Sequence, residues 1–293
     1  MIGLIKQGQY DLVYGNGYHY RCFMALIVAK VMRKPFVWHI REVLENFPQA
    51  KWIRFSTTIV TNSQATATAL GQYTDKKIHV VINGIDLEQY RLNCGEIKRN
   101  LRNELKIPME SIIIVNVGRV CYQKNQLQAV EIASKVVSGF SKVHFLFLGD
   151  IQENAYLVQI QEMSFRLGIT SNIHFVGHTK AVNQYLIGSD ILLHTSRKES
   201  QGRVILESMA AKLPVVTYDV GGIKESMVQG KTGFLFPFGS IDPVVKALNT
   251  LIRNKSMREA MGLYGYAHVQ QFSSEHTSRQ IVSVIERTLG GKG

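Results

Sequence analysis

The sequence has little of what marks membrane-spanning, secreted or disulfide-bonded proteins. No apolar run approaches the ~18–20 residues that a membrane helix needs. The stretch from Met1 to Tyr10 lacks the basic segment and apolar run of a secretory signal. The three cysteines, Cys22, Cys94 and Cys121, are odd in number, far apart and without metal-ligand spacing. We therefore expect a cytoplasmic protein whose thiols are reduced and at least partly buried.

Acidic residues are also scarce, since 34 Lys and Arg face 22 Asp and Glu and give a net charge of +12. Such a balance favours an anionic partner: nucleic acid, an acidic lipid surface or a phosphorylated small molecule. The basic residues are spread along the chain, and no aromatic–basic signature of an RNA-recognition module is present. We therefore expect no nucleic-acid partner, and we keep the lipid surface and the phosphorylated molecule as alternatives.

From Ser111 onward, short apolar runs alternate with helical stretches. The runs lack strict alternation, which is typical of strands buried on both faces of a parallel sheet. They are Ile112–Val117, Val143–Leu148, Ile173–Val176, Ile191–Leu193, Val215–Thr217 and, more weakly, Phe234–Phe236. The helical stretches include Gln126–Val137, Ala155–Leu167 and Val204–Lys212. This alternation predicts a doubly wound α/β domain that binds ligands at the carboxyl ends of its strands.

The first part of the chain carries a second, shorter α/β pattern. Its predicted strands are Leu12–Tyr14, Phe36–Trp38, Thr58–Thr61 and Val80–Ile82, with helices at Arg21–Met32 and after Asn62. The pattern begins inside a helix, and a complete half would add two or three βα units of ~30 residues. We therefore expect two Rossmann-like domains, an incomplete one at residues 1–87 and a complete one at 88–293. A charged, non-periodic stretch to Pro108 separates them, and the last helix, His276–Leu289, is expected to pack on the first domain.

Two motifs of the second domain carry groups suited to a nucleotide. Gly118-Arg119, with Lys124 five residues on, follows the strand Ile112–Val117, where cations and backbone N–H groups can hold a diphosphate. Glu199 and Glu207 flank the start of a helix that Ser200 is predicted to cap, and carboxylates accept hydrogen bonds from vicinal sugar hydroxyls. The alternative for the first motif is a solvated loop with two ordinary surface cations. The alternative for the second is a solvated helix face.

Two further motifs lie at strand ends. Gly221-Gly222-Ile223 opens a helix after Val215–Thr217, where glycines let the backbone approach a ligand, unless they serve only a turn. His39 follows the strand Phe36–Trp38, at an edge that faces the ligand cleft, although a lone histidine is more often structural.

The order of these motifs resembles glycosyltransferase family 4, of the GT-B architecture. Its patterns are matched, in order, by Asn83–Asp86, Gly118-Arg119 with Lys124, Phe175–Gly177, Ser189-Asp190, Glu199 with Glu207, Gly221-Gly222 and Gly230–Leu235. The matches cover nearly the whole chain. Two departures are that Gln201 stands where most members have Phe, and that the glycine-rich loop that opens the family's first domain is absent.

The resemblance implies a retaining transferase that moves a sugar from a nucleotide-diphosphate sugar to a carbohydrate or lipid-linked acceptor, in cell-surface polysaccharide or glycoconjugate synthesis. It implies that Arg119 and Lys124 stabilise the leaving diphosphate, Glu207 binds ribose, Glu199 contacts the donor sugar and His39 lies near the transferred sugar. The other donor-binding residues that it implies are Gly118, Gly202, Arg203, Val204, Gly221, Gly222 and Ile223. Since no Asp-x-Asp pair is present, we expect no metal and no cofactor.

Two alternatives stay open beside the transferase. A nucleotide-sugar 2-epimerase shares the architecture but needs acid and base residues and no acceptor. A non-catalytic remnant would bind a nucleotide without turnover. The basic surplus also fits peripheral contact with an acidic inner membrane face.

Overall fold

The computed structural model describes residues 8–42 and 48–290, without the side chains of residues 48–50. The chain forms two compact units. The first contains the chain up to Gly84, the segment Glu199–Gln201 and the chain from Phe272 onward, and the second contains Ile85–Lys198 and Gly202–Gln271. The helix expected at the very start of the chain falls on residues 1–7, which lie outside the described residues. No helix among the described residues is both long and apolar enough to cross a membrane.

The first unit is built on a parallel sheet of four strands in the order β1-β2-β3-β4. Its elements are β1 (Val13–Asn16), α1 (Tyr20–Val31), β2 (Phe36–Ile40), a 3₁₀ segment (Pro48–Phe55), β3 (Thr58–Thr61), α2 (Gln64–Gly71), β4 (Ile78–Val80) and, from the end of the chain, α11 (Ser274–Gly290).

Both faces of this sheet are covered, as a parallel sheet requires. On one face Phe36, Trp38 and Ile40 of β2 pack with Leu26 of α1. On the other face Val37 packs with Val284 of α11. All five residues of β2 are buried in consequence, which explains why this strand shows no polar alternation.

The second unit is built on a parallel sheet of six strands in the order β10-β9-β8-β5-β6-β7. Its elements are α3 (Cys94–Glu104), β5 (Ile112–Val117), α4 (Gln126–Val137), β6 (Val143–Leu148), α5 (Asn154–Arg166), β7 (Ile173–Gly177), α6 (Val182–Gly188), β8 (Ile191–His194), α7 (Arg203–Ala210), β9 (Val215–Tyr218), α8 (Ile223–Ser226), β10 (Gly233–Phe236), α9 (Ile241–Arg253) and α10 (Lys255–Val269), with short 3₁₀ turns at Leu87–Tyr90, Tyr122–Lys124 and Thr170–Asn172.

The strand order of the second unit reverses between β5 and β8. From β5 the chain builds outward through β6 and β7, then returns to add β8, β9 and β10 on the other side. The loops that follow β5 and β8 therefore diverge and leave a crevice at the carboxyl edge. Ligands of doubly wound sheets bind at this switch point.

The expected α/β class with two parallel sheets is confirmed. A strand overlaps each of the ten expected ranges, but the one expected at Val80–Ile82 is observed at Ile78–Val80 and shares only Val80 with that range. The interpretation of the stretch before Pro108 as irregular is wrong, because α3 occupies Cys94–Glu104. The Asn93 side chain caps this helix by accepting from the Glu96 N–H. Arg102 is one of its two buried residues, and a buried arginine hides the apolar face that periodicity would detect.

Two smaller expectations are also wrong. Ser200 does not cap the helix that contains Glu207, since α7 begins at Arg203 with Gly202 as its N-cap, and it ends at Ala210. Cys94 is exposed, whereas Cys22 and Cys121 are buried, and all three are free thiols.

Arg102 joins α3 to the sheet of the second unit through a buried ion pair. Its guanidinium lies 2.7 Å from Asp190 Oδ2 and donates to the carbonyls of Gly188 and Ser111 at 3.0 and 2.9 Å. The same Asp190 oxygen accepts from the Ile113 N–H at 3.0 Å. Asp190 therefore fixes the start of β8 beside β5 from the amino-terminal edge of the sheet.

We expect Arg102→Met to lower the free energy of unfolding by ~1–3 kcal/mol, because it leaves the carbonyls of Gly188 and Ser111 and Asp190 Oδ2 without this donor. Lys98 still pairs with Asp190 Oδ1 at 2.8 Å in this variant. The measurement is urea denaturation. Lys142→Met is the matched control, since it breaks a pair with Glu110 that is exposed to solvent and should leave the free energy of unfolding nearly unchanged. Equal losses in the two variants would contradict the role assigned to Arg102.

Candidate functional site

The loop that follows β5 is fixed by backbone hydrogen bonds to the loop that follows β6. The N–H of Gly118 donates to the Leu148 carbonyl at 2.8 Å, and the N–H of Val120 donates to the Asp150 carbonyl at 2.7 Å. The Arg119 side chain is exposed between these anchors, and its carbonyl accepts from the Gln126 side chain at 2.9 Å. The backbone that carries Arg119 is thus held in place before any ligand arrives.

Close backbone approach makes this anchoring possible. A Cβ atom on Gly149, whose φ is +148°, would lie 2.2 Å from the Gly118 carbonyl oxygen, so only glycine fits there. On the other side of Gly118, the aliphatic part of Lys124 would lie 3.2–3.5 Å from an added Cβ. The stem of Lys124 therefore lies over the glycine that ends β5, and the lysine is half-buried.

The crevice between β5 and β8 begins where their backbone pairing stops. The two strands pair at Ile114 with Ile191 and at Val115 with Leu192. Beyond these pairs, the side chain of Asn116 bridges the gap by donating to the Leu193 carbonyl at 2.8 Å. A hydrogen-bonded amide in the middle of an apolar strand thus marks the point at which the strands separate.

Arg197 braces the loop that follows β5, although no pattern in the sequence singles it out. Its backbone N–H donates to the Gln123 carbonyl at 2.9 Å, and its guanidinium donates to Asn125 Oδ1 at 2.9 Å. The same guanidinium lies over the Tyr122 ring, 4.2 Å from its centroid, and near the Phe238 ring at 5.6 Å. One side chain therefore joins the loops after β5, β8 and β10, and only the three-dimensional arrangement shows this.

The start of α7 packs closely against the start of α8. Gly202 has φ +74°, and a Cβ there would lie 3.2 Å from Ile223 Cγ1, so this predicted donor-binding residue needs to be glycine. The predicted Gly221-Gly222 pair precedes α8, and the Ile223 N–H donates to the Val220 carbonyl at 3.3 Å.

Glu207 borders a cavity of about 180 Å³ in the second unit. Its carboxylate is 16% exposed and lies 2.8 Å from the Nε atom of Arg203, one turn earlier in α7. Burial raises the pKa of Glu207, while Arg203 opposes that change. Tyr90 lines the same cavity, and its pKa is raised by burial and by the Glu207 charge. The site thus holds a partly dehydrated carboxylate with a hydroxyl nearby.

Of the predicted residues, those on the second unit follow three adjacent strands, β5, β8 and β9. They are Gly118, Arg119, Lys124, Gly202, Arg203, Val204, Glu207, Gly221, Gly222 and Ile223. The other two, His39 and Glu199, belong to the first unit.

His39 is fully buried in β2 instead of lying open at the strand end. The Tyr14 hydroxyl is 2.6 Å from its Nδ1 atom, and its Nε2 atom is buried without a hydrogen-bond partner among the described residues. Burial and, secondarily, the nearby charge of Arg41 lower the pKa of His39 to about 4. The imidazole is therefore neutral at pH 7.

Gln201, at the position where the resemblance leads us to expect Phe, has a buried side chain with both ends paired. Its Oε1 accepts from the Asn83 N–H and its Nε2 donates to the Asn83 carbonyl, each at 2.9 Å. The neighbouring Ser200 hydroxyl accepts from the Asn62 amide at 3.1 Å. The segment that carries Glu199 is thus bound to the first unit by an amide pair that imitates strand pairing.

Among residues 8–42 and 48–290, no group of three His, Cys, Asp or Glu side chains could hold a metal ion. The expectation of a metal-independent site stays a prediction.

We expect stability to fall as pH falls, partly through His39. Its pKa is about 4 in the folded chain and 6.5 by reference, so the unfolded chain takes up a proton first. The contribution of the neutral His39 to the free energy of unfolding is complete above pH 6.5 and is lost as the pH falls towards 4. At pH 5 the loss is ~2 kcal/mol. His39→Gln should therefore flatten the decline in unfolding free energy between pH 7 and pH 5. Tyr14→Phe, which keeps the imidazole, should preserve it, and equal slopes in His39→Gln and the unsubstituted chain would refute the assignment.

Two family models match this chain, and together they cover most of it. The model described as Glycosyl transferases group 1 matches residues 97–268. The model described as Glycosyltransferase Family 4 matches residues 1–89.

Curated relatives at low identity carry related names. The D-inositol 3-phosphate glycosyltransferase of Jonesia denitrificans is 26% identical over 220 residues, which is 73% of this chain and 52% of that protein. The capsular polysaccharide biosynthesis glycosyltransferase CapM of Staphylococcus aureus is 26% identical over 210 residues, 71% of this chain and 53% of that protein. The chain spans about half the length of these curated relatives.

Solved structures share the architecture of both units. Anabaena Alr3699/HepE, solved in complex with UDP and with UDP-glucose, is 25% identical, with TM-scores of 0.88 and 0.87, and the match covers 97% of this chain and 81% of that one. WaaG, a glycosyltransferase involved in lipopolysaccharide biosynthesis, has a TM-score of 0.74 at 14% identity, covering 91% of this chain and 81% of that one. With the GT-B fold shared across its length and the group 1 model matching more than half of it, the chain belongs to the glycosyl transferases group 1 family.

Proposed function

We propose that the protein is a retaining glycosyltransferase that moves a sugar from a nucleotide-diphosphate sugar to a carbohydrate or lipid-linked acceptor. The observation that carries this proposal is the β5–β8 switch point, which is followed by a pre-anchored loop with two cations. The helix after β8, α7, adds a largely buried carboxylate. A similar structure, Alr3699/HepE, binds UDP and UDP-glucose, which supports a donor of this class.

The roles of Arg119 and Lys124 follow from the charge that develops in the reaction. When the bond from the anomeric carbon to the diphosphate breaks, negative charge accumulates on the departing oxygen. Cations that are already in place stabilise that charge without reorganisation. The hydrogen bonds that fix the backbone beside Arg119, and the packing of Lys124 over Gly118, supply this preorganisation.

Retention needs no protein nucleophile in this scheme. The acceptor hydroxyl attacks from the face that the diphosphate leaves, and the departing phosphate oxygen takes the hydroxyl proton. We assign Glu199 to the hydroxyls of the transferred sugar. His39 is fully buried beside Tyr14, so we assign it no contact with the sugar. The relative CapM is a capsular polysaccharide biosynthesis glycosyltransferase, which supports the acceptor class and a role in cell-surface polysaccharide synthesis.

We expect Arg119→Ala and Lys124→Met to lower the turnover of UDP-glucose ~10²–10³-fold, because each removes a preorganised group that faces developing charge. The methionine keeps the stem that packs on Gly118, so melting temperatures should stay nearly unchanged. The measurement is release of UDP, followed with and without EDTA because no metal is invoked.

The control for these variants is Lys246→Ala, which removes an exposed lysine from α9 and should leave turnover unchanged. Near-normal turnover in Arg119→Ala and Lys124→Met would reject the diphosphate assignment, and loss of turnover with EDTA would reject metal independence.

Analysis of the sugar after incubation with donor alone separates the transferase from the two alternatives. An epimerase converts the sugar to its 2-epimer, a transferase hydrolyses it slowly, and a non-catalytic remnant leaves it intact.

We assign Glu207 to the donor ribose, because its carboxylate borders a cavity and is partly dehydrated. A ribose contact does not depend on the attached sugar. Glu207→Ala should therefore weaken UDP and UDP-glucose by the same factor, ~1–3 kcal/mol, as measured by calorimetry.

Arg203→Ala is the control for Glu207, since it removes the ion-pair partner and keeps the carboxylate. It should weaken both ligands less than Glu207→Ala does. If Glu207→Ala weakened only UDP-glucose, the carboxylate would contact the sugar and not the ribose.

We also propose that the protein contacts an acidic membrane surface peripherally from the cytoplasmic side, where lipid-linked acceptors are found. The net charge of +12 supports this contact.

A further inference from the structure

Helix α1 of the first unit exposes an apolar stripe to solvent. Its buried side faces the sheet through Cys22, Leu26 and Ala29. The opposite side carries Tyr20, Met24, Ile27 and Val31, all of which are exposed, with Tyr20 at 70% and Val31 at 67%. At 100° per residue these four side chains fall within ~60° of one another on the helix. A helix packed against a sheet normally presents polar residues on that side.

The 3₁₀ segment Pro48–Phe55 widens the stripe. Trp52 is 45% exposed and lines one groove of about 400 Å³ with Tyr20, Met24 and Ile27. Phe55 is also exposed, and its ring centroid lies 5.7 Å from that of Trp52. We call these six residues the apolar face: Tyr20, Met24, Ile27, Val31, Trp52 and Phe55.

Cations surround the apolar face. Arg21 and Lys30 lie on either side of the stripe on α1, and both are exposed. Lys51 and Arg54 are exposed on the 3₁₀ segment, and the Arg54 guanidinium lies 4.9 Å from the Phe55 ring centroid. The sequence contains no Asp or Glu at residues 18–41 or 48–57, and Glu42 and Glu45 lie between these ranges.

We propose that the apolar face lies in an anionic lipid surface, with Arg21, Lys30, Lys51 and Arg54 against the lipid phosphates. An apolar face with aromatic side chains and flanking cations is the arrangement of helices that lie in the bilayer interface. Tryptophan and tyrosine favour this depth because their rings are amphipathic. The inference rests on the membrane contact proposed above and names the surface that makes it.

Charge favours lipid over a second copy of this chain. Two copies joined through the apolar face would bring the same four cations together across the interface, and like charges there oppose association. An anionic lipid surface instead attracts each of them.

The two tryptophans give a direct test. Trp52 belongs to the apolar face, whereas Trp38 is fully buried and its Nε1 donates to the Gly17 carbonyl at 2.9 Å. Phosphatidylglycerol–phosphatidylcholine vesicles should bind the chain in flotation and shift the Trp52 emission to shorter wavelength. Vesicles with brominated acyl chains should quench Trp52 and leave Trp38, measured alone in Trp52→Phe, unquenched.

Matched variants separate apolar burial from charge. Met24→Gln combined with Ile27→Gln should reduce vesicle binding at least tenfold. Phe165→Gln, which alters a 78% exposed aromatic residue on α5 of the other unit, should not reduce it. Lys30→Gln should weaken binding about fivefold, the equivalent of ~1 kcal/mol per cation. Lys246→Gln should not weaken it.

Several outcomes would overturn the proposal. They are absence of binding to the mixed vesicles, binding that survives the double apolar variant, and a Trp52 shift that follows protein concentration without vesicles, which would indicate self-association. Binding that is equal on pure phosphatidylcholine would reject the role of the cations. None of these readouts uses sugar transfer, so the transferase assignment can fail or stand separately.

Discussion

The reversal of strand order between β5 and β8 is the constraint on which the second unit depends. Because the connections are right-handed, the helices lie on one face of the sheet while the sheet grows in one direction. A parallel sheet must be covered on both faces, so the chain returns to β5 and grows in the other direction. The return places β8 beside β5, and the loops that follow these two strands must leave on opposite sides. Pairing stops after Val115 and Leu192, and the Asn116 amide bridges the gap that follows. The crevice is therefore a consequence of topology, and predicted donor-binding residues follow the two strands that form it.

The strands were predictable because a parallel sheet buried on both faces leaves a plain signature of short apolar runs. The helix α3 was not, because Arg102 occupies the position where periodicity looks for an apolar residue and finds its partners on other elements, at Gly188, Ser111 and Asp190. The start of α7 was missed for a related reason. Ser200 is a good cap by type, but its hydroxyl accepts from Asn62, 138 residues away in sequence, and local propensity carries no information about such a partner.

The residues of the candidate site also differ in whether the local sequence or distant contacts determine their place. Residues that depend on a strand end, such as Gly118 and Arg119, could be predicted because parallel strands bring their carboxyl ends to one edge. Arg197 could not, since its significance lies in stacking on Tyr122 and bonding to Asn125, and no spacing in the sequence encodes either contact. His39 was placed at the right strand, but whether its side chain is open or buried depends on packing, and the structure buries it against Tyr14.

Gln201 shows how a departure from a family pattern can be compatible with the fold. An amide in a buried position is costly unless both of its ends are paired. Here the Oε1 and Nε2 atoms pair with the N–H and carbonyl of Asn83, so the polar side chain satisfies backbone groups that would otherwise need another partner. The next residue, Gly84, cannot be replaced by a larger one without a clash, because a Cβ there would lie 2.3 Å from the Ser273 carbonyl oxygen. The end of β4, the segment before α7 and the start of α11 are therefore bound together within the first unit. A phenylalanine at position 201 could supply apolar contact there but neither hydrogen bond, so the two residue types stabilise this junction by different interactions.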